Sequence, residues 1–360
     1  MESGKRSLDS WRTAGASPTL RVELWSPYRQ FFQNHGYTLW NVPADNDYDH
    51  EPPNDNPRAP DGFSHENEYS ANAPRLCCTA VSVLYLHSIS PLHFPARTTD
   101  NRDVMIALLS DTVVDNNCVK VLRTIATGKN AGIDRNHALP LLHELRYDNL
   151  IFGVFPLVSD SFIPTWFVNI AHALETMSQI MEGVAFLHDH LVAHRDLFIS
   201  NFLCSRRYGF WEPGHENDFL RPRYYIIDFE MAVQFSLDSD PATRTVSGPP
   251  IPWDIYKRPP PPEMKLDMPY CPFKADVWQV GKAFLQCHIE HDIPDIVKLL
   301  RQMSANNAED RPSAREAVTE LNKIRDELPQ KILQASIEEN VHCDVCEVYA
   351  YNLLQAGVRD

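Results

Sequence analysis

No glycine occurs between residues 63 and 127. Backbone amides approach a phosphate closely only where side chains are absent, and positive φ is cheap only for glycine. A glycine-rich phosphate cradle is therefore excluded from that stretch. No run approaches the roughly 18 uninterrupted apolar residues of a membrane-spanning helix. The opening segment MESGKRSLDSWRTAGASP lacks the apolar core of a secretory signal, so a cytosolic or nuclear chain is expected. Basic charge is scarce too. A formal charge of −15 argues against a nucleic-acid or anionic-membrane partner, since both need a basic face. Of eight cysteines only Cys343 and Cys346 form a C-x-x-C, preceded by His342. No second pair follows at zinc-ligand spacing, so ordinary reduced thiols are expected.

What is present is ordinary in bulk: 360 residues, 43% apolar and 22% charged, enough for one large two-lobed unit or two modest domains. Residues 1–20 read as a loose tail, and 24–42 (LWSPYRQFFQNHGYTLWNV) are aromatic enough to fold onto something. Residues 45–68 carry eight acidic side chains against one arginine, Arg58, which reads as a solvated or disordered insertion. From about residue 75 the pattern turns strand-like: LCCTAVSVLYL, LHFPAR, a turn at TTDN, then DVMIALL, an antiparallel meander. NNCVKVLRTIA (116–126) has helical spacing, HALPLLHELRYD and NLIFGVFPLV are further apolar runs, and 166–190 is a long amphipathic helix. After about residue 270 the chain reads as mainly helical. A small β-rich half before a larger helical half is the outline of a two-lobed α+β fold.

The long helix delivers the chain to HRDLFISN (194–201). An Asp at the start of such a loop can accept a proton from an attacking hydroxyl, and an Asn five residues later can hold a metal ion on the same side. Further on, YYIIDFEMAV is an apolar strand ending in Asp228, whose carboxylate can complete a Mg²⁺ site. HRDLFISN matches the H-R-D-L-x-x-x-N catalytic loop of protein kinases, and the resemblance to that superfamily continues in order. PPEM (261–264) resembles the A-P-E that closes an activation segment, with Glu263 as its carboxylate. FKADVWQVG (273–281) resembles the D-V-W-x-x-G helix, and DRPSAREAV (310–318) the late Arg-Pro-Ser signature. The stretches GPPIP, YKRPPPPEM and PYCPFKADVW are also similar to a fungal group of kinase-like proteins.

The resemblance, over roughly residues 75–325, implies a protein kinase-like bilobal fold. It implies an N-terminal extension with its acidic insertion at 1–74, an N-lobe at 75–158, a C-lobe at 159–325 and a helical tail at 326–360. It also implies roles. Asp196 is the base or hydroxyl-orienting group, with Asn201 and Asp228 holding Mg²⁺ and hence the ATP phosphates. His194 supports the DF turn and Arg195 faces the activation segment. Asp276 braces the catalytic-loop backbone, and Glu263 pairs with Arg311. The alternative is that these residues persist because they hold the helical half together.

The pattern fails elsewhere. Where kinases carry V-A-I-K the chain reads Val104, Met105, Ile106, Ala107, so the phosphate-binding lysine has become alanine. The partner glutamate of the next helix has become Cys118, the DFG glycine is Glu230, and Phe198 stands where serine/threonine kinases usually place a lysine. One preorganised contact to a developing oxyanion is worth about 3–4 kcal/mol, or about 10²–10³ in rate. Losing several leaves little turnover unless Arg97 or Lys120 substitutes. The expectation is a pseudokinase or weak atypical protein kinase that retains ATP and magnesium binding. The alternatives are an active Mg-dependent serine/threonine protein kinase using a displaced cation, and a nucleotide-free interaction scaffold with an unidentified protein partner. Ser236, Ser239, Thr243, Thr245 and Ser247 are phosphorylation candidates or simply exposed hydroxyls of a mobile loop. The prolines of 249–262 stiffen that segment.

Overall fold

The computed structural model describes residues 8–14, 18–42, 49–63, 84–85, 90–112, 116–158, 169–205, 223–266, 268–286 and 293–335. Cys77, Cys78, Cys287, His342, Cys343, Cys346, most of the run LCCTAVSVLYL, and the tail beyond residue 335 lie outside them. The chain divides into two compact units.

The first unit comprises residues 1–131, 139–160 and 204–223. It begins with three short helices, α1 (Leu8–Ala14), α2 (Pro18–Trp25) and α3 (Arg29–Asn34). Strands β1 (Tyr37–Leu39), β2 (Asp49–His50), β3 (Leu84–Tyr85), β4 (His93–Thr98) and β5 (Asp103–Ser110) follow. Helices α4 (Asn117–Ile125) and α5 (Gly128–Ala131) then precede β6 (His143–Tyr147) and β7 (Leu150–Pro156). Five strands form an antiparallel sheet in the order β1-β4-β5-β7-β6. Its centre is the apolar run of β5, where Ile106 pairs with Phe94 on one side and Val154 on the other. The TTDN turn between β4 and β5 puts Asn101 at φ 63, a left-handed conformation that Asn tolerates better than most residues. Helix α4 starts at Asn116, whose side chain accepts from Val119 N at 3.0 Å, a standard N-cap.

Two sequence expectations change here. The stretch read as a tail supplies core: Trp11 is fully buried and joins Trp25, Phe32, Phe94, Ile106 and Phe152 in one cluster. Trp25 and Phe32 belong to the aromatic run 24–42, which is expected to pack. Trp25 lies 5.5 Å from Phe94 and 5.7 Å from Phe152, ring centre to ring centre. Aromatic rings bring so much buried area that a few short helices suffice to cover a sheet. The described part of the acidic stretch is anchored as well. Buried Arg97 donates to Asn54 O and Asn56 O, each at 2.9 Å, and Arg58 donates to Leu157 O at 2.9 Å. Composition reports average solvation, and two arginines that need acceptors override it locally.

His50 is buried, and neither ring nitrogen has a hydrogen-bond partner among the described residues. Burial, then the Arg21 charge, pushes its pKa from 6.5 down to about 3. The unfolded chain therefore takes up the proton first, and stability is lost as pH falls from about 6.5 towards about 3. In His50→Leu that part of the acid limb is expected to flatten in denaturation curves taken at successive pH values. An unchanged limb would remove His50 as its source.

The second unit comprises residues 132–138, 161–203 and 224–360 and is mainly helical. It contains α6 (Ile170–Asp189), β8 (Val192–Ala193), β9 (Phe202–Cys204, leaving the unit at its last residue), β10 (Tyr224–Ile226) and β11 (Val233–Gln234). Helices α7 (Pro272–Leu285), α8 (Pro294–Met303), α9 (Ala314–Glu327) and α10 (Gln330–Leu333) complete it. A capping box opens α9: Glu316 N donates to Ser313 Oγ at 3.2 Å, and Ser313 N to Glu316 Oε2 at 2.7 Å. Gly281 lets α7 approach the end of α8, where an added Cβ would stand 3.1 Å from Leu300 O and 3.2 Å from Ser304 N. The class is thus α+β, with an antiparallel sheet in one unit and a helical packing in the other. Among the described residues no helix is long and apolar enough to cross a membrane.

Candidate functional site

The residues singled out in HRDLFISN, DFE and DVW all lie in the second unit, and α7 organises them. Asp276 has no solvent exposure. Its carboxylate accepts from His194 N at 2.8 Å, Arg195 N at 2.7 Å and His188 Nε2 at 3.0 Å. One helical turn later Gln279, also buried, accepts from Leu197 N and donates to Arg195 O, both at 3.0 Å. Positions three apart share a helix face, so a single face of α7 satisfies the backbone of residues 194–197. That backbone needs support, because Arg195 sits at φ 70, a left-handed conformation costing on the order of 1–3 kcal/mol for a non-glycine residue.

Within the loop, His194 Nε2 lies 2.9 Å from Ile227 O, and Asp196 N donates to His194 Nδ1 at 3.3 Å. These two contacts assign the neutral tautomer protonated on Nε2. The imidazole also packs 4.8 Å from the Phe229 ring. Asn201 Nδ2 donates to both the main-chain oxygen and Oδ2 of Asp196, each at 2.7 Å. Ile227 N donates to Asn201 O at 3.0 Å, so Ile227 is held from both sides and Asp228 emerges directly beyond it. Asp228 is exposed and lies at φ 66, a second strained non-glycine residue. The short ladder of β8 and β11, Ala193 opposite Val233, closes the loop and the Asp228 turn together.

The donor set bears on magnesium. Both amide hydrogens of Asn201 are spent on Asp196, which leaves its carbonyl oxygen, with only a long 3.4 Å contact from Ser200. Asp228, two residues past β10, is exposed to solvent. Two oxygen donors suit Mg²⁺, which keeps several waters and is completed by phosphates. No group of three His, Cys, Asp or Glu residues able to hold a metal occurs among the described residues, so a closed protein cage of zinc type is not formed there.

Glu263 and Arg311 meet in a bidentate ion pair at 2.6 and 2.7 Å, and Arg311 also donates to Ala305 O and Lys274 O at 2.8 and 3.0 Å. The Arg195 guanidinium lies beside Tyr270, whose own pKa is raised mainly by burial. Tyr270 pairs through its backbone with Val246 and joins Tyr256 and Met264 in a small core that packs the segment 246–270. The phosphorylation candidates Ser239, partly exposed, and Thr243, exposed, are bonded into local turns, to Ser236 O at 2.5 Å and Asp240 O at 2.7 Å.

Among the proposed substitute cations, Arg97 is committed elsewhere. Its guanidinium faces Asp103 at 2.8 and 3.0 Å in addition to the two carbonyls above. Lys120 is exposed on α4, and Cys118 lies on the buried face of that helix. Ala107 is buried in β5 between His93 and Gly153.

Two residues of the site escaped the sequence reading. Gln279 had a signal, since a polar residue three positions after Asp276 shares its helix face. Arg258 had none. It approaches from the proline-rich segment and donates through Nε to Asp196 Oδ1 at 3.1 Å, and through Nη2 to Asp196 Oδ2 at 3.4 Å and Ser200 Oγ at 2.6 Å. Its guanidinium carbon stands 5.4 Å over the Phe198 ring, a cation–π contact. Beside it, burial and then the Asp196 charge push Tyr256 up to about 12, so its hydroxyl stays neutral.

No model of a known protein family matches the chain, and no curated protein was found similar to it.

Proposed function

We propose that the chain is a protein kinase-like bilobal protein with a reduced phosphate-binding apparatus, a pseudokinase or weak atypical protein kinase that binds Mg-ATP. The observation that carries this reading is the hydrogen-bonded set of Asp196, Asn201 and the Asp228 turn, braced by Asp276 and Gln279 and made from motifs in the order the superfamily uses. Strain at both Arg195 and Asp228 supports it, because left-handed non-glycine residues persist where the surroundings over-determine them, and such places cluster at functional sites.

In this reading Asn201 Oδ1 and the Asp228 carboxylate hold Mg²⁺, which when bound neutralises charge on the nucleotide phosphates. Asp196 orients the acceptor hydroxyl and receives its proton. His194 and Asn201 hold Ile227, and through it the direction of the Asp228 side chain. Turnover is slow, because Ala107 offers no cation and Arg97 is consumed by Asp103, Asn54 and Asn56. The acidic balance of −15 suits a protein partner or substrate rather than a nucleic acid.

Thermal unfolding of the full chain with ATP, with Mg²⁺ and with both tests the reading. Ligand at about 100 times its Kd adds about 2.7 kcal/mol, a rise of a few degrees. The rise is expected only with both present, and is expected to disappear in Asp228→Ala. No rise under any condition would overturn nucleotide binding and leave the interaction scaffold.

A further inference from the structure

We infer that Arg258 is the phosphoryl-facing cation of this site: a residue of the proline-rich segment that touches the transferred group beside Asp196. The inference rests on the phosphotransfer reading above and names a catalytic residue for it.

Three contacts fix the guanidinium over the loop, on the side chains of Asp196, Phe198 and Ser200. The anchoring chain is stiff. Tyr256, two residues earlier, receives a 3.4 Å contact from Gln279 Nε2, and Pro259 to Pro262 follow directly. Arginine suits the place because its planar fork spends one edge on a carboxylate and keeps other donors for a second anion. Nε and Nη2 are used, while no hydrogen bond reaches Nη1 among the described residues, and the side chain keeps 36% of its exposure against 5% for Asp196. The guanidinium thus caps the carboxylate and presents its remaining donors outward.

The pairing leaves Asp196 competent. An ionised carboxylate offers about four acceptor sites, and side chains occupy three: Arg258 Nε, Arg258 Nη2 and Asn201 Nδ2. The remaining site accepts the substrate hydroxyl. Phosphoryl transfer depends on positioning and charge stabilisation more than on a strong base. In the step, the hydroxyl oxygen forms a bond to the γ-phosphorus of the nucleoside triphosphate and its proton passes to Asp196. The bond from that phosphorus to the β-bridging oxygen breaks, and the electron pair leaves with the diphosphate. Arg258 Nη1 donates to the phosphoryl oxygens while this happens. An arginine stacked on Phe198 thereby supplies positive charge where position 198 itself has none.

The test is binding to the full chain of Mg-ADP alone and of Mg-ADP with aluminium fluoride, which mimics the phosphoryl in flight. Wild type and Arg258→Ala are compared by calorimetry, after thermal unfolding without ligand has shown both folded; Arg258→Lys is carried as the variant that keeps the charge. Wild type is expected to bind Mg-ADP more tightly with fluoride than without. Arg258→Ala is expected to keep its Mg-ADP affinity and lose about 100-fold of the fluoride-dependent gain, with Arg258→Lys between them. A strap that merely holds the segment would weaken both ligands alike, so equal losses overturn the inference. An undiminished gain in Arg258→Ala, or no gain in wild type, overturns it too. Failure of wild type to bind Mg-ADP at all overturns the underlying phosphotransfer reading instead.

Discussion

Asp276→Ala is expected to lower the free energy of unfolding by about 3–5 kcal/mol. The carboxylate has no solvent exposure and serves the amides of His194 and Arg195 together with the His188 ring. Removing it leaves the buried N–H of His194 and the part-buried N–H of Arg195 without acceptors, at about 1–3 kcal/mol for a buried one. Arg195 adds to the loss, because its left-handed backbone loses the bond from its N–H and keeps only the one that Gln279 makes to its carbonyl. Asp276→Asn keeps one carbonyl acceptor and is expected to fall between wild type and alanine. Equilibrium urea unfolding measures both, and a loss below about 1 kcal/mol in the alanine variant would mean that Gln279 alone holds the loop.

The second large effect is at the ion pair of Glu263 and Arg311. Glu263→Ala is expected to cost about 3–5 kcal/mol, because it strands a guanidinium buried without a counter-ion. The Arg311 side chain has 0% exposure against 13% for Glu263, so the arginine is the member that cannot rehydrate. Its remaining partners, the carbonyls of Ala305, Lys274 and, at 3.4 Å, Asn306, satisfy donors but not charge. The double variant Glu263→Ala/Arg311→Met is expected to recover part of the loss, since apolar side chains of similar volume often replace a buried pair at little cost. A double variant less stable than Glu263→Ala would show that Arg311 contributes mainly through the carbonyls it bridges.

Much of the local architecture was legible because periodicity is a local property. Apolar runs separated by a polar turn placed β4 and β5, and the spacing of Val119, Leu122 and Ile125 placed α4. The long run ahead of HRD is α6, and its described part starts at an Asn N-cap, with Asn169 accepting from His172 N at 2.9 Å. The tail of residues 1–20 was misread because after Met1 its large apolar residues are only Leu8, Trp11 and Leu20, with few apolar neighbours. Isolated tryptophans carry no period, and only a facing sheet makes them core. Arg58 and Arg97 were similarly opaque, since nothing in an acidic stretch says which carbonyls a buried guanidinium will collect.

By itself, then, the sequence determined the α+β class, several of the strands and helices, and the motif residues that the second unit brings together around HRD. Each of these follows from near-neighbour spacing or from motif order. The tertiary structure alone decided which cation stands at Asp196. Arg258 is 62 residues away in the chain, and the sequence offered only Arg97 and Lys120, as substitutes for the lysine missing at Ala107. Arg97 is neutralised by Asp103 six residues on, while Arg258 reaches the loop because a proline-stiffened segment and Gln279 fix its approach. An ion pair is set by where two backbones converge, and no spacing along one strand or helix encodes that.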